Sequence, residues 1–378
     1  MALDPKQEEL RRATNPLFND RKMKLGTFGT NVSNAVSFTT IDERFDPTWP
    51  NTRALALLAD EMEFEAMVPV ARWKGFGGAT NMNGTNFEVY TWAAGLGALT
   101  ENSCVLATSH VPTMHPVMAA KQATTIDHIT NGRFALNVVC GWFRNEMQLF
   151  GGTLMEHDEA YGYAAEWLEV MIKLWTIDGE FDHIGKYFEI KGGFPEPKPI
   201  QQPFPAIMNA GKSDKGRNFA AKYCDMAFII PQNYDLDDNR RVIDEYRRLA
   251  REEYGREIQV WSSAYVVQRD TEKEAQEYLN YYVVEKGDRE GAANLLNAGG
   301  GGIKDRMDAP DYEELLFHIM AGWRGFPLVG TRDQVVDGLQ DLSDIGLDGC
   351  LLVWADYESG MRQFKAETLP ALIQAGLR

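Results

Sequence analysis

Cysteine is scarce in this chain. Four occur in 378 residues, Cys104, Cys140, Cys224 and Cys350, and no two share a Cys-x-x-Cys spacing. That excludes a zinc ribbon and a dithiol redox motif. Each lies in or beside an apolar run (CVLAT, NVVC, KYCDMAFII, GCLLVW), so all four are expected reduced in the core of a cytoplasmic protein. Histidine is scarce too: six residues, none paired at the i, i+4 spacing of a zinc protease helix. His110 and His115 stand across a proline-bearing loop and are expected at core or rim positions, with no metal. Positive charge is in deficit, with a formal net charge of −17, which excludes the basic stripe that nucleic acid requires. No apolar run reaches the ~18 residues of a membrane span. The opening MALDPKQEELRRATNPLFND lacks an apolar stretch, so no secretory leader is expected; residues 1–21 read as an extension, either a frayed tail or a contact to a neighbouring subunit. No G-x-G-x-x-G follows a strand, no G-x-S-x-G elbow is present, and no repeat of 20–50 residues appears.

What the chain does have is alternation. Short apolar runs begin at Lys24 (KLGTFGT), Met67 (MVPVA), Cys104 (CVLATSH), Phe134 (FALNVVC), Ala206 (AIMNAG), Met226 (MAFII), Ile258 (IQVWSSAYVV) and Cys350 (CLLVW). They are apolar on both faces, as parallel strands covered by helices are. Amphipathic stretches separate them, among them EAYGYAAEWLEVMIKLW from Glu159 and DDNRRVIDEYRRLAREEYG from Asp237. Eight such strands predict an α/β fold, a (β/α)₈ TIM barrel occupying 22–378 as a single domain. The surplus length is placed in insertions near 181–202, read as a short hairpin and an extended Pro-rich arm, and near 287–325. The glycine run Ala298–Gly302 in the latter reads as a flexible loop, or as a lid hinge if it lies near a site.

Barrels place chemistry at the C-terminal ends of their strands, so those ends carry the functional argument. After the second run comes Ala71-Arg72-Trp73-Lys74-Gly75-Phe76-Gly77-Gly78: two cations, two aromatics and a glycine turn. It reads either as a solvated loop or as a loop whose backbone approaches a planar ligand while Arg72 or Lys74 meets its polar edge. The third run ends Thr108-Ser109-His110. The fourth carries an amide, Asn137, inside an aliphatic run and continues into Gly141-Trp142-Phe143-Arg144-Asn145-Glu146. A buried amide costs free energy unless its donors and acceptor are met. Arg144 and Glu146 read as a surface ion pair or as part of a site. The fifth run leads to Asn209-Ala210-Gly211-Lys212-Ser213-Asp214-Lys215-Gly216 and then a helix. Gly211, Lys212 and Ser213 there are suited to an anion, though a plain helix cap would look the same. Gly330-Thr331-Arg332-Asp333, after Leu328-Val329, reads as a structural cap. An anion seat, aromatic walls, glycine loops and one buried amide at a barrel mouth suit a phosphorylated planar cofactor, with FMN the natural candidate.

The run TTIDHITNGRFALNVVCGW, with KGFGG at 74–78, GWFRNEMQLFG at 141–151 and NAGKSDKG at 209–216, resembles the luciferase-like flavin-dependent monooxygenases. Within them it is most similar to the branch of the pyrimidine, dimethylsulfone and alkanesulfonate monooxygenases. The resemblance implies a (β/α)₈ barrel that uses FMNH₂ supplied by a separate NAD(P)H:flavin reductase, with O₂ as co-substrate, and a homodimer or homotetramer. It places flavin contacts on Ala71, Arg72, Asn137, Glu146, Ala160, Tyr161 and Ser213. It places a dioxygen pocket beside the flavin on Val68, Thr108, Asn137 and Trp142, with Thr108 and Asn137 as hydrogen-bond donors. In the pyrimidine enzymes a lysine matches Arg72 and an arginine matches Ala160, so this chain keeps one cation and lacks the other; Lys212 or Arg144 is the candidate replacement at the phosphate. The expected activity is oxygen insertion with cleavage of a C–N, C–S or C–halogen bond in a small heterocycle, sulfone or aromatic. Whether oxygen is activated at flavin N5 or C4a stays open. The alternatives are a deazaflavin-dependent dehydrogenase of the same fold and a non-catalytic flavin-binding protein.

Overall fold

The computed structural model describes residues 4–194, 196–298 and 307–378. Its strands, in chain order, are β1 (Lys24–Phe28), β2 (Ala66–Val68), β3 (Cys104–His110), β4 (Phe134–Val139), β5 (Phe181–Ile184), β6 (Glu189–Gly193), β7 (Ala206–Asn209), β8 (Met226–Phe228), β9 (Gln259–Gln268), β10 (Phe326–Gly330) and β11 (Gly349–Val353). Eight of them pair in parallel and close a ring in the order β1-β2-β3-β4-β7-β8-β9-β11 and back to β1. These are the eight runs expected from the sequence. The second is shorter than its apolar run because Pro69 has no N–H to donate to a ladder.

β10 was anticipated only as the approach to a cap. It is a strand because β9 is ten residues long and outlasts β8. β8 pairs with Gln259–Trp261, and β10 takes over the same edge from Ala264 to Gln268. The cap that follows is as expected: Thr331 and Gln334 form a reciprocal capping box.

Inside the ring, Val68, Leu106, Met208, Phe228, Trp261 and Leu351 form a core of their own, separate from the larger apolar layer between strands and helices. Leu17, fully buried, belongs to that inner core. It is delivered by the N-terminal segment, which from Asp4 onward is ordered against the barrel. Asp4 caps a helix, Pro5–Thr14, and a short 3-10 turn, Pro16–Phe18, follows. Arg11 pairs with Asp225 at 2.7 Å and donates to Phe204 O at 3.0 Å, while Asn15 donates to Phe134 O at 3.2 Å. The segment therefore closes the N-terminal end of its own barrel. The signal was only one apolar triplet, PLF, behind a charged helix.

β5 and β6 form the antiparallel hairpin expected near 181–202. In the stretch near 287–325 lie the helices Arg289–Asn297 and Ala309–Gly322; of the glycine run, 299–302 falls outside the described residues. No helix among the described residues is long and apolar enough to cross a membrane.

Candidate active site

The C-terminal mouth of the barrel opens on a half-open, mostly apolar cavity. Val68, Ala71, Arg72, Thr108, Asn137 and Trp142, all singled out in the sequence, line it. The register explains two of them. Thr108 lies opposite Asn137 across β3 and β4, so both side chains emerge at the same height.

The hydroxyl of Thr108 donates to Pro69 O at 2.6 Å, and Asn137 Nδ2 donates to Thr108 Oγ1 at 3.1 Å. Because the Thr108 hydrogen is spent on Pro69, the Asn137 amide can only turn its N–H side to Thr108. Asn137 Oδ1 is left buried with no partner. A buried carbonyl oxygen without a donor costs about 1–3 kcal/mol. The Thr108 hydroxyl, expected as a donor toward bound oxygen, donates to Pro69 O in this structure.

Arg72 and Glu146 form a fully buried ion pair, Nη1 to Oε2 at 2.8 Å. The carboxylate also accepts from the backbone N–H of Trp73 at 2.7 Å and of Lys74 at 3.3 Å. The Arg72 guanidinium stands 5.0 Å from the Trp142 ring centroid, 5.1 Å from that of Phe76 and 5.9 Å from that of Phe143. Burial pulls its pKa below the ordinary arginine value, against the opposing charge of Glu146. Glu146 thus does not pair with Arg144, which is exposed on the short helix Arg144–Leu149. Lys74 is exposed as well, so neither cation of that loop meets the cavity as a free charge.

His110 closes this group. Its Nδ1 lies 3.9 Å from Glu146 Oε2 and has no hydrogen-bond partner. Burial, aided by the charge of Arg72, pushes its pKa down to about 3, so the imidazole is neutral. No group of three or more His, Cys, Asp or Glu that could hold a metal exists among the described residues.

The residues expected to seat an anion lie at two helix starts. Asn209 at the end of β7 donates to Val138 O at 2.7 Å and accepts from Gly211 N at 2.9 Å, which bends the chain. Ser213 caps the helix Asp214–Tyr223 by accepting from Gly216 N at 3.1 Å. Tyr161 comes from the first turns of the helix His157–Thr176, beside buried Ala160. A Cβ on Gly211 would meet the Tyr161 hydroxyl at 2.5 Å and Gly216 Cα at 2.6 Å. Only glycine permits this approach, and it brings the two helix N-termini together, where N–H groups and dipoles favour an anion. Lys212 is exposed at the rim. Lys212 and Ser213 line a groove that shares Ile230 with the mouth cavity, so a planar ring and a phosphate can be held side by side.

The residues present therefore fit FMN: an unmet acceptor in an apolar slot, and a two-helix seat next to it. Sequence reading missed Phe28, Phe228, Ser263 and Trp323, which also line the cavity. The glycines beside Trp323 in Ala321-Gly322-Trp323-Arg324-Gly325 were the only local signal.

Comparison with known proteins shows what the chain is similar to. The chain is 28% identical over 355 residues to the pyrimidine monooxygenase RutA of Acinetobacter baylyi, covering 93% of this chain and 95% of that one. It is 29% identical over 356 residues to the FMNH₂-dependent dimethylsulfone monooxygenase of Pseudomonas putida, covering 92% and 94%. Among solved structures, the long-chain alkane monooxygenase LadA superposes with a TM-score of 0.81 at 25% identity, covering 95% of this chain and 92% of that one. A riboflavin lyase, RcaE, superposes with a TM-score of 0.84 at 21% identity, covering 94% and 92%, and shares the fold. The family model described as luciferase-like monooxygenase matches residues 23–349, and the chain belongs to that family.

Proposed function

We propose that this chain is the oxygenase of a two-component system. It takes FMNH₂ from a separate NAD(P)H:flavin reductase, uses O₂, and cleaves a C–N, C–S or C–halogen bond of a small heterocycle, sulfone or aromatic compound. One oxygen atom enters the substrate and the other leaves as water, which consumes two electrons from the flavin and two from the substrate. Reduced FMN, when bound, would supply two of the four electrons that dioxygen takes up.

The observation that carries this reading is the bare Oδ1 of Asn137 in the mouth cavity. A ring N–H of reduced flavin would supply the donor it lacks. Thr108 holds the amide in the orientation that offers that oxygen. Val68 and Trp142 wall the same space and exclude water, which strengthens fixed dipoles there. The Arg72–Glu146 pair holds the loop after β2 and keeps Trp142 seated over its guanidinium. Ser213, Lys212, Gly211, Tyr161 and Ala160 would hold the phosphate. The names of the relatives support FMNH₂ dependence and the branch. We further propose that the active form is a homodimer or homotetramer in the cytoplasm.

The test is turnover of candidate substrates with a flavin reductase, NAD(P)H, FMN and ¹⁸O₂, followed by mass spectrometry. Product carrying one ¹⁸O, formed only when both FMN and O₂ are present, is expected. Anaerobic turnover with a deazaflavin would establish a dehydrogenase instead. Tight flavin binding with no product from any substrate would leave a non-catalytic flavin-binding protein.

A further inference from the structure

Trp323 caps the helix Ala309–Gly322 with a left-handed backbone, φ 52° and ψ 38°, and Arg324 follows at φ 64°. A bulky residue rarely adopts that conformation, and glycine is the usual occupant. Here the glycines stand on either side instead. A Cβ on Gly322 would come within 2.6 Å of Tyr265 Cβ, and one on Gly325 within 3.0 Å of the Ser263 backbone. The turn is thus pressed onto β9, and the indole between the glycines is turned into the mouth cavity. Its backbone N–H donates to Ile319 O at 3.0 Å, and Arg324 donates to Gln232 O at 2.9 Å, which fixes the turn from both sides. Such strain persists where the surroundings impose it, and it marks functional positions.

The indole is also placed by rings. Trp323 stacks on Phe28 with centroids 6.0 Å apart and planes 14° apart. It meets Phe76 edge-on at 6.5 Å and 73°, while Trp142 lies nearly parallel to Phe76 at 6.2 Å and 20°. Two indoles that line one cavity are therefore set on a common phenyl ring, at steep angles to each other.

Charge narrows what they can receive. Among the described residues lining the cavity, Arg72 is the one Lys or Arg, and Glu146 neutralises it at 2.8 Å. His110 carries no charge at neutral pH. A sulfonate or carboxylate entering this space would lose its water and find no counter-ion. An uncharged ring would instead find aromatic faces.

We infer that the cavity takes an uncharged, planar aromatic or heteroaromatic substrate, and that Trp323 is the specificity-determining residue its ring packs against. This rests on the flavin monooxygenase reading above and narrows its substrate class to uncharged rings, leaving out non-aromatic sulfones.

The test is calorimetric titration of wild type, W323A and W323F. FMN is titrated first. The FMN-loaded proteins are then titrated with uracil and benzamide, which are uncharged rings, with benzenesulfonate, an anionic ring, and with butane-1-sulfonate, an anion without one. In wild type, uracil or benzamide is expected to bind about tenfold or more tighter than either sulfonate. W323A is expected to weaken that ring by about tenfold or more, W323F to recover most of the loss, and FMN affinity to stay within about twofold throughout. Sulfonates that bind as well as the uncharged rings, no binding of either ring, or a ring affinity indifferent to W323A would overturn the inference while FMN still binds. Equal loss of FMN and ring binding in W323A would overturn it too, assigning Trp323 to the flavin. Wild type that fails to bind FMN would remove the flavin reading itself, and the inference with it.

Discussion

Asn137 and Thr108 face each other in register across β4 and β3, and a single 3.1 Å hydrogen bond between them leaves the Asn137 carbonyl oxygen buried and bare. The arrangement has a direction. Pro69 takes the Thr108 hydrogen at 2.6 Å, Thr108 takes an Asn137 hydrogen, and the acceptor at the end of the chain opens on the mouth cavity. Because Asn137 lines that cavity, a ligand there could supply the donor that the unmet acceptor lacks.

The Arg72–Glu146 pair carries the next expectation. Both side chains are out of solvent, so removing one charge strands the other. E146Q keeps an acceptor for the Trp73 and Lys74 N–H groups but leaves the guanidinium unpaired among Phe76, Trp142 and Phe143. It is expected to cost about 3–5 kcal/mol in urea unfolding, and R72M a similar amount. The double variant R72M/E146Q sheds both charges and is expected to be more stable than the sum of the singles allows. Additive losses would show that the two groups are not coupled.

His110 gives a pH dependence with a defined sign. Its folded pKa is depressed to about 3, first by burial and then by Arg72, against an ordinary 6.5. Between those values the unfolded chain holds a proton that the folded chain does not. Stability from this group is therefore complete above about pH 6.5 and is lost as the pH falls toward 3, by about 1.4 kcal/mol per pH unit per proton. H110Q is expected to remove that component, so its unfolding free energy falls less steeply than wild type between pH 6 and pH 4. Parallel slopes in the two proteins would contradict a neutral, buried imidazole.

Gly211 tests the anion seat. G211A drives a methyl into the Tyr161 hydroxyl at 2.5 Å and the Gly216 backbone at 2.6 Å. The expected cost is about 1–3 kcal/mol of stability, with FMN affinity lowered by about tenfold. Y161F added to G211A removes the first contact and leaves the second, so recovery in urea unfolding and FMN titration should be partial. Full FMN affinity in G211A would mean that the two helix starts do not need to meet.

Much of this was legible in the sequence where the signal is local. Runs such as CVLATSH and FALNVVC are apolar on both faces only because helices cover one side and a filled ring the other. Asn137 stood out because an amide in such a run contradicts its neighbours, and Gly211 because it sits between a strand end and a capped helix. What was hidden depends on pairs far apart in the chain. Glu146 looked like a partner for Arg144, two residues away, yet it binds Arg72, 74 positions distant, because the helix Arg144–Leu149 turns Arg144 to solvent and Glu146 inward. Leu17 fills the base of a ring whose strands begin after it. Trp323 enters the cavity from an insertion through a backbone conformation that its residue type disfavours, so neither propensity nor periodicity could place it.

The most direct measurement is an anaerobic titration of FMNH₂ into wild type and N137A. Wild type should bind, and N137A should bind about tenfold more weakly, the worth of one buried hydrogen bond, while its unfolding free energy without flavin stays within about 1 kcal/mol of wild type, because losing the bond to Thr108 is offset by removing a buried acceptor that had no partner. Equal FMNH₂ affinity in the two proteins would contradict the claim that flavin completes Asn137.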